Sequence, residues 1–498
     1  MKRDIQRLSQ GQYDALVVGG GINGAAIANL AALNGLRVCL LEKGDFASGT
    51  SSKSTKLIHG GLRYLENFEF DLVRESLKER FIQLKTAPHL VKPLAFIFTV
   101  YKNDARPLWM IQFGIFLYDF LSGPYRIGKH KRLTPTEILQ EIPSLKKDDL
   151  LGGVVYYDAQ MDDARLCLEN VLVASKYGAH AANYVEVKSL IREGAKIAGV
   201  RAYDFLNKKE FEVRAKKIVC AVGPWTNAFM NKEKGQLHNK VRTTKGVHII
   251  YRGQFSKYAL VIPTKSERRI FFIIPWKGNS LIGTTDTDYT GSADEVSVSN
   301  EDIDYLLTES RRVFPDVDFS RDNIITTFAG LRPLVMDHGS TFKVSRKHVI
   351  EESYSGIIYV TGGKYTTYRK IAEDTVKRLV RGKPVDTEHN FLLYGSGHMD
   401  EADDALASRY AVTIETIHYL KDLYGARVLD VLRLVERDSS LKAPICTCSP
   451  AIKAQIVYSR DTEMAQTPED IFERRLGLGY LDCKTRNCYK EIDIFYKK

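Results

Sequence analysis

The chain has 498 residues, 44% of them hydrophobic and 27% charged, with a formal net charge of +11. That length predicts two or three domains rather than one core, and the composition is that of a soluble globular protein. The basic surplus is not gathered into a dense Lys/Arg block, which argues against nucleic acid and leaves an anionic membrane surface, an anionic small substrate or plain solubility.

The chain starts MKRDIQRLSQGQYD, basic but without an apolar core, so it does not read as a secretory signal. Residues 15–18 form a short apolar run, as in a buried parallel strand. Gly19, Gly21 and Gly24 follow in G-x-G-x-x-G register, with Ile22 and Asn23 between them. Residues 25–33 read as a small-residue helix, Gly35 ends it, and RVCLLE is a second buried strand closing on Glu42. Strand, glycines, helix, strand and acid in this order form a dinucleotide-binding βαβ unit. Gly19 permits the turn, Gly21 lets backbone approach a pyrophosphate, and Gly24 lets the helix lie close to the strand. The helix N-terminus offers N–H groups to the phosphates, and Glu42 can accept from ribose hydroxyls.

GTSSKSTKLIHGGLRYLE (49–66) comes next and carries too many special groups for a plain linker. Ser51, Ser52 and Thr55 are short donors suited to a flavin's pyrophosphate, ribityl chain and ring edge. Gly60 and Gly61 would let backbone approach a flat ring. LWMIQFGIFLYDFL (108–121) is too short to span a bilayer and is expected as a buried helix, with a membrane-facing patch as the alternative. GPYRIGKH (123–130) nearly spells a phosphate-binding P-loop. His130 stands where Ser or Thr should bind magnesium, so ATP is not expected.

DDARL (162–166) opens a helix-like stretch, and IVCAVGPWTN (218–227) reads as a strand running into a Gly-Pro turn. RTTKGVHIIY, RRIFFIIPW and SLIGTTDTDY are strand candidates of an antiparallel sheet over the flavin face. FAGLRPLV brings Arg332 and SRKHVI brings Arg346. YVTGGKYTTYRKIAEDTVKRLV reads as strand, glycine turn and helix. A boundary is expected near 384–400, and helical spacing follows at Leu406, Tyr410, Ile414, Ile417, Leu420 and Leu423. Thr467-Pro468-Glu469-Asp470 is a helix start, with an N-cap residue and proline at N1. The cysteines are sparse and seven in number, which fits free thiols in a reducing compartment. Cys446-x-Cys448 and Cys483-x4-Cys488 would make a zinc site if the fold joined them. Neither has the usual two-residue gap, so no metal is expected.

On the block 14–66, the chain resembles the FAD-dependent glycerol-3-phosphate dehydrogenases, which share the fold of the D-amino-acid-oxidase group of flavoproteins. SSKSTKLIHGGLRYLE is similar to that family's flavin loop almost throughout, and the later segments are similar from about residue 13 to 482. The family's Asn before Gly-Pro-Trp is replaced here by Cys220. The resemblance implies an α/β architecture: a Rossmann-type FAD-binding domain (1–90, 150–240, 328–384), an antiparallel β substrate domain (91–149, 241–327) and a C-terminal all-α domain (385–498).

For FAD, the resemblance implies contacts at Gly19, Gly21, Ile22, Asn23 and Gly24, then at Glu42 and Lys43. The loop adds Thr50, Ser51, Ser52, Thr55 and Lys56, then His59, Gly60, Gly61 and Leu62. Ala221, Gly223 and Trp225 approach from the second segment, Gly363 and Thr366 from the third. Oxidising a secondary alcohol needs a hydride acceptor, a base and a grip on the substrate's charged end. The family implies sn-glycerol 3-phosphate, gripped by Arg63, Tyr64, Arg346 and Lys364, with Arg332 beside the reacting alcohol. His248 is the expected base, and His59, its competitor, is expected against the flavin.

The implied product is dihydroxyacetone phosphate, with electrons passed to a membrane quinone. The alternatives are an oxidase of the same substrate that makes hydrogen peroxide from O2, and a non-catalytic flavin-binding module. Expected partners are an anionic membrane surface, with the protein cytoplasmic and peripheral on the inner face, and a second copy in a homodimer; no nucleic acid is expected. Mitochondrial members of the family carry a calcium-binding extension, but no D-x-[DN]-x-[DN]-G loop occurs here.

Overall fold

The apolar run near the start of the chain becomes a central parallel strand, as burial on both faces demands. In the computed structural model, Gln12–Val18 lies between Lys209–Cys220 and Val38–Leu41 and is parallel to both. The sheet continues in parallel through His180–Ala182 on one side and Ile357–Gly362 on the other, and antiparallel His348–Glu352 closes that edge. Helix Ile22–Leu33 is buried on all sides through its alanines, so it lies close to both the sheet and helix Asp163–Lys176. The structure describes the chain apart from residues 234–240, 265–269, 337–343, 346, 381, 383–384, 386, 388–390, 398, 400, 484–487 and 498.

The alternating segments build a second, mostly antiparallel sheet. Its order is Ile324–Met336, Val241–Tyr251, Asn279–Gly283, Ile270–Trp276, Ala259–Pro263, Val91–Tyr101 and Leu150–Met161. Two expected boundaries shift. The strand Ile324–Met336 runs through the expected break at 328, pairing along its length with Val241–Tyr251. Leu150–Met161, expected in the cofactor domain, pairs with Val91–Tyr101 in this sheet.

Helix Leu108–Ser122 corrects another expectation. Ile111, Ile115 and Tyr118 are buried, but Trp109, Phe113, Phe116 and Phe120 are 66%, 62%, 54% and 65% exposed. Their spacing puts them on one outward face.

The C-terminal region is helical, with Asp403–Tyr410, Ile414–Tyr424 and Val428–Arg437 packed around their own core. It is not all-α: Pro444–Cys446 and Ser449–Ile452 form a small hairpin. The Thr467 start holds, the Asp470 N–H donating to Thr467 Oγ1 at 3.2 Å, but the helix that follows is wound as a π-helix. Buried ion pairs join this region to the first sheet. Asp45 receives Arg475 at 2.6 and 2.8 Å and Arg474 at 2.7 Å. Arg165 forks onto Glu463 at 2.8 and 2.9 Å, and Arg427 pairs with Glu169. Burial pushes the Asp45 carboxyl up, but the two guanidiniums outweigh it and hold its pKa at about 2.

Candidate active site

The two sheets face each other across a cleft of about 940 Å³. Its first wall is the glycine turn. Gly19 adopts φ +106°, and a Cβ there would lie 2.6 Å from the Ala221 carbonyl oxygen. A Cβ on Gly24 would collide with the Gly19 carbonyl. Helix Ile22–Leu33 therefore points its first N–H groups into the cleft, where the Ile22 N–H donates to Ser51 Oγ at 2.9 Å. Such a helix end suits a pyrophosphate.

Glu42 lines the same wall and accepts from the N–H groups of Gly20 at 2.6 Å and Gly44 at 2.8 Å. Burial pushes its carboxyl up, and those two N–H groups oppose that. At the mouth, Lys43 lies over the Trp225 ring, 4.3 Å from its centroid, and pairs with Asp294. Asp294 also accepts from Trp225 Nε1 at 2.9 Å, a partner that sequence reasoning missed. A cleft with a helix N-terminus, a buried acid and a basic–aromatic mouth fits FAD, as do Thr50, Thr55, His59, Gly223, Gly363 and Thr366, which also line it.

The loop 49–66 divides between cleft and packing. Thr50 Oγ1 donates to the Leu331 carbonyl at 2.8 Å, tying the loop to the second sheet. His59 and Thr366 are joined by the His59 N–H to Thr366 Oγ1 at 3.2 Å. Lys56, expected at the flavin, places its side chain in a buried ion pair with Asp163 at 2.6 Å and donates to the Ser52 carbonyl at 3.2 Å. Asp163 also accepts from Ser54 Oγ at 2.7 Å, so it holds the loop's shape, and DDARL was the only hint of it in the sequence. Gly60 and Gly61 are both required by packing against protein rings. A Cβ on Gly60 would collide with the Tyr118 hydroxyl, and one on Gly61 with the Tyr64 ring. Ser52 and Leu62 do not line the cleft. Cys220 is buried in the core behind the sheet, so its difference from the family does not reach the cleft.

At the other end sit the groups for chemistry. His248 comes from strand Val241–Tyr251 and Arg332 from its neighbour Ile324–Met336. The His248 ring stacks on Phe328, with centroids 5.0 Å apart and 17° between planes, and its Nε2 is 2.9 Å from Thr55 Oγ1. Its Nδ1 has no partner among the described residues. Burial, then Arg332 and Lys56, push its pKa well below the usual histidine range, so the imidazole is neutral. Arg332 meets Asp286 at 3.1 Å and donates to Thr284 Oγ1 at 2.8 Å. A Cβ on Gly246 would collide with this guanidinium, so the glycine makes room for it. Tyr64 lines the cleft with Lys364 Nζ 3.9 Å from its ring centroid, and Lys364 donates to Ser76 Oγ at 2.9 Å. Arg63, expected on the substrate, is exposed and outside the cleft. Arg346 lies outside the described residues. The P-loop look-alike is a short turn outside the cleft, where His130 contacts Asp119 at 2.7 Å.

The comparisons agree with this geometry. Residues 14–369 match the family model described as FAD dependent oxidoreductase. Residues 386–492 match the C-terminal domain of alpha-glycerophosphate oxidase. The chain is 39% identical to a glycerol-3-phosphate dehydrogenase of Synechocystis sp., over 96% of this chain and 91% of that one. It is 36% identical to the aerobic glycerol-3-phosphate dehydrogenase of Bacillus subtilis, over 99% and 92%. Among solved structures, the glycerol-3-phosphate dehydrogenase from Bacillus halodurans complexed with FAD superposes with a TM-score of 0.81 at 31% identity, covering 98% of this chain and 90% of that chain. With both family models matched and these relatives aligned along nearly its whole length, the chain belongs to the FAD-dependent glycerol-3-phosphate dehydrogenase family.

Proposed function

We propose that this enzyme oxidises sn-glycerol 3-phosphate to dihydroxyacetone phosphate and hands the electrons to a membrane quinone. The observation that carries the reading is the buried, neutral His248 beside Arg332 in a cleft that also presents Lys364 and Tyr64. Bound FAD supplies the hydride acceptor. His248 takes the proton of the secondary hydroxyl, a transfer its low pKa keeps it ready for at neutral pH. Thr55 fixes the ring's tilt through the 2.9 Å contact. Arg332 lies close enough to His248 to lower its pKa, so it balances negative charge developing on the substrate oxygen. Lys364 and Tyr64 hold the phosphate, which sets the reacting carbon's position.

The outward face of Leu108–Ser122 supports a peripheral site on the inner membrane leaflet. Four exposed aromatics on one helix face insert into a headgroup layer, and exposed Arg126, Lys129, Lys131 and Arg132 follow within a few residues. Among the described residues no helix is long and apolar enough to cross a membrane.

The test is anaerobic addition of glycerol 3-phosphate to the yellow protein. Loss of the visible flavin band, without bleaching by glycerol or lactate, is the expected result. A protein that stays yellow contradicts the reading. Readmitted air should restore colour slowly and added quinone quickly; the reverse order would make it an oxidase.

A further inference from the structure

The fold brings together four cysteine sulfurs from two segments whose spacing gave no expectation of a metal. Cys446 ends one strand of the C-terminal hairpin, and Cys448 precedes the other. Cys483 follows the turn Leu478–Tyr480, and Cys488 begins helix Cys488–Tyr496. All four Sγ atoms lie within 4.8 Å of one another. Cys446 is 3.1 Å from Cys448 and 3.8 Å from Cys483, and Cys448 is 3.0 Å from Cys488. Cys448 and Cys483 are in bonding contact as a disulfide, which departs from the expectation of free thiols throughout. A disulfide needs two of these sulfurs and does not account for the other two converging on it.

We propose that Cys446, Cys448, Cys483 and Cys488 bind a thiophilic metal centre as four thiolates. Four sulfurs about 2.3 Å from one tetrahedral ion stand about 3.8 Å apart, so this spacing favours a single Zn²⁺; a small iron–sulfur cluster uses the same ligand class. Loading Zn²⁺ on four thiols releases four protons and transfers no electrons. The disulfide form first takes two electrons and two protons from a cellular thiol reductant, becoming two thiols. Cys483 and Cys488 are fully buried within the C-terminal core, which shields the centre from water.

The site would act on the flavin cleft as a brace. Cys483 comes three residues after Tyr480, whose hydroxyl donates to the Ser52 carbonyl at 3.2 Å. The Tyr480 ring lies 4.6 Å from Lys56 Nζ and packs edge-on against Phe328, the residue beneath His248. A metal that ties hairpin, turn and last helix together therefore holds the Tyr480 side of the flavin loop.

The experiment is elemental and acid-labile sulfide analysis of the full-length flavoprotein, purified anaerobically without chelator. About one zinc per chain without sulfide, or iron with labile sulfide and a dithionite-sensitive spectrum, supports the site and identifies its occupant. Cys446→Ser and Cys488→Ser leave the Cys448–Cys483 pair intact. They should lose most of the metal, melt earlier and release FAD faster. If either variant fails to fold, wild-type protein treated with an organomercurial should release the metal to a colorimetric chelator. Two results overturn the proposal: a metal-free protein whose Tm does not respond to added Zn²⁺ under reduction, and a stable Cys448–Cys483 disulfide in reducing cytosol-like buffer beside freely alkylated Cys446 and Cys488.

Discussion

The glycine turn and the C-terminal region both shape the flavin cleft, but by different physics. At the turn, backbone meets backbone: Gly19 against Ala221 and Gly24 against Gly19 leave no space for a side chain. The C-terminal region reaches the same loop through charge, with Arg474 and Arg475 closing on Asp45 three residues after Glu42. The first device is local, so its residues fall in a short pattern. The second joins positions over 400 residues apart, and no spacing announces it.

The largest effect should come from breaking the local device. Gly24→Val should yield protein without bound FAD or no soluble protein at all, read by the flavin-to-protein absorbance ratio. Near-normal flavin content would mean the helix can move off the strand. Second, His248→Asn should keep FAD and lower kcat by about 10²–10⁴-fold. In the wild type, the low His248 pKa means the imidazole is already neutral well below pH 6.5. The acid limb of kcat/KM assigned to this group should therefore lie below the usual histidine range, and it should vanish in the variant.

The long-range device should break more gradually. Asp45→Asn leaves two buried guanidiniums short of a charge and should cost about 3–5 kcal/mol, seen as a lower urea midpoint with flavin lost in the same transition. Two separate transitions would mean that the C-terminal region and the cleft are not coupled.

The smallest effect is on pH. His89 packs against Gly395 and Gly425 of the C-terminal region, and burial holds its pKa at about 4 against the pull of Glu169. The unfolded chain binds the extra proton between about 6.5 and 4, so this stability is present above pH 6.5 and is lost as pH falls to 4. The loss should be about 3 kcal/mol and should be absent in His89→Gln.

Much of the cleft was legible because its parts are contiguous. Gly19 to Glu42 contains a whole supersecondary unit, and His248, Arg332 and Lys364 each sit in a family-like segment. What the sequence did not show is where a residue also answers to a distant partner. Nothing local announces that Asp163 holds Lys56 or that the Tyr118 hydroxyl meets the Gly60 N–H. The helix Leu108–Ser122 was misread for another reason. Aromatic density fixes that a face is apolar, not whether protein or lipid covers it.

The central parallel sheet has a consequence for how the enzyme is made. Gln12–Val18 finds a neighbour at Lys209–Cys220 and, beyond it, at Ile357–Gly362, and Asp45 finds its counterions at Arg474 and Arg475. On the ribosome, the glycine turn is therefore finished early but has no complete cleft to face until Thr366 has been synthesised, and Asp45 has no counterion until Arg474 and Arg475 follow. FAD capture should accordingly coincide with release of the chain, and a nascent chain stalled before residue 474 should bind the cofactor weakly or not at all.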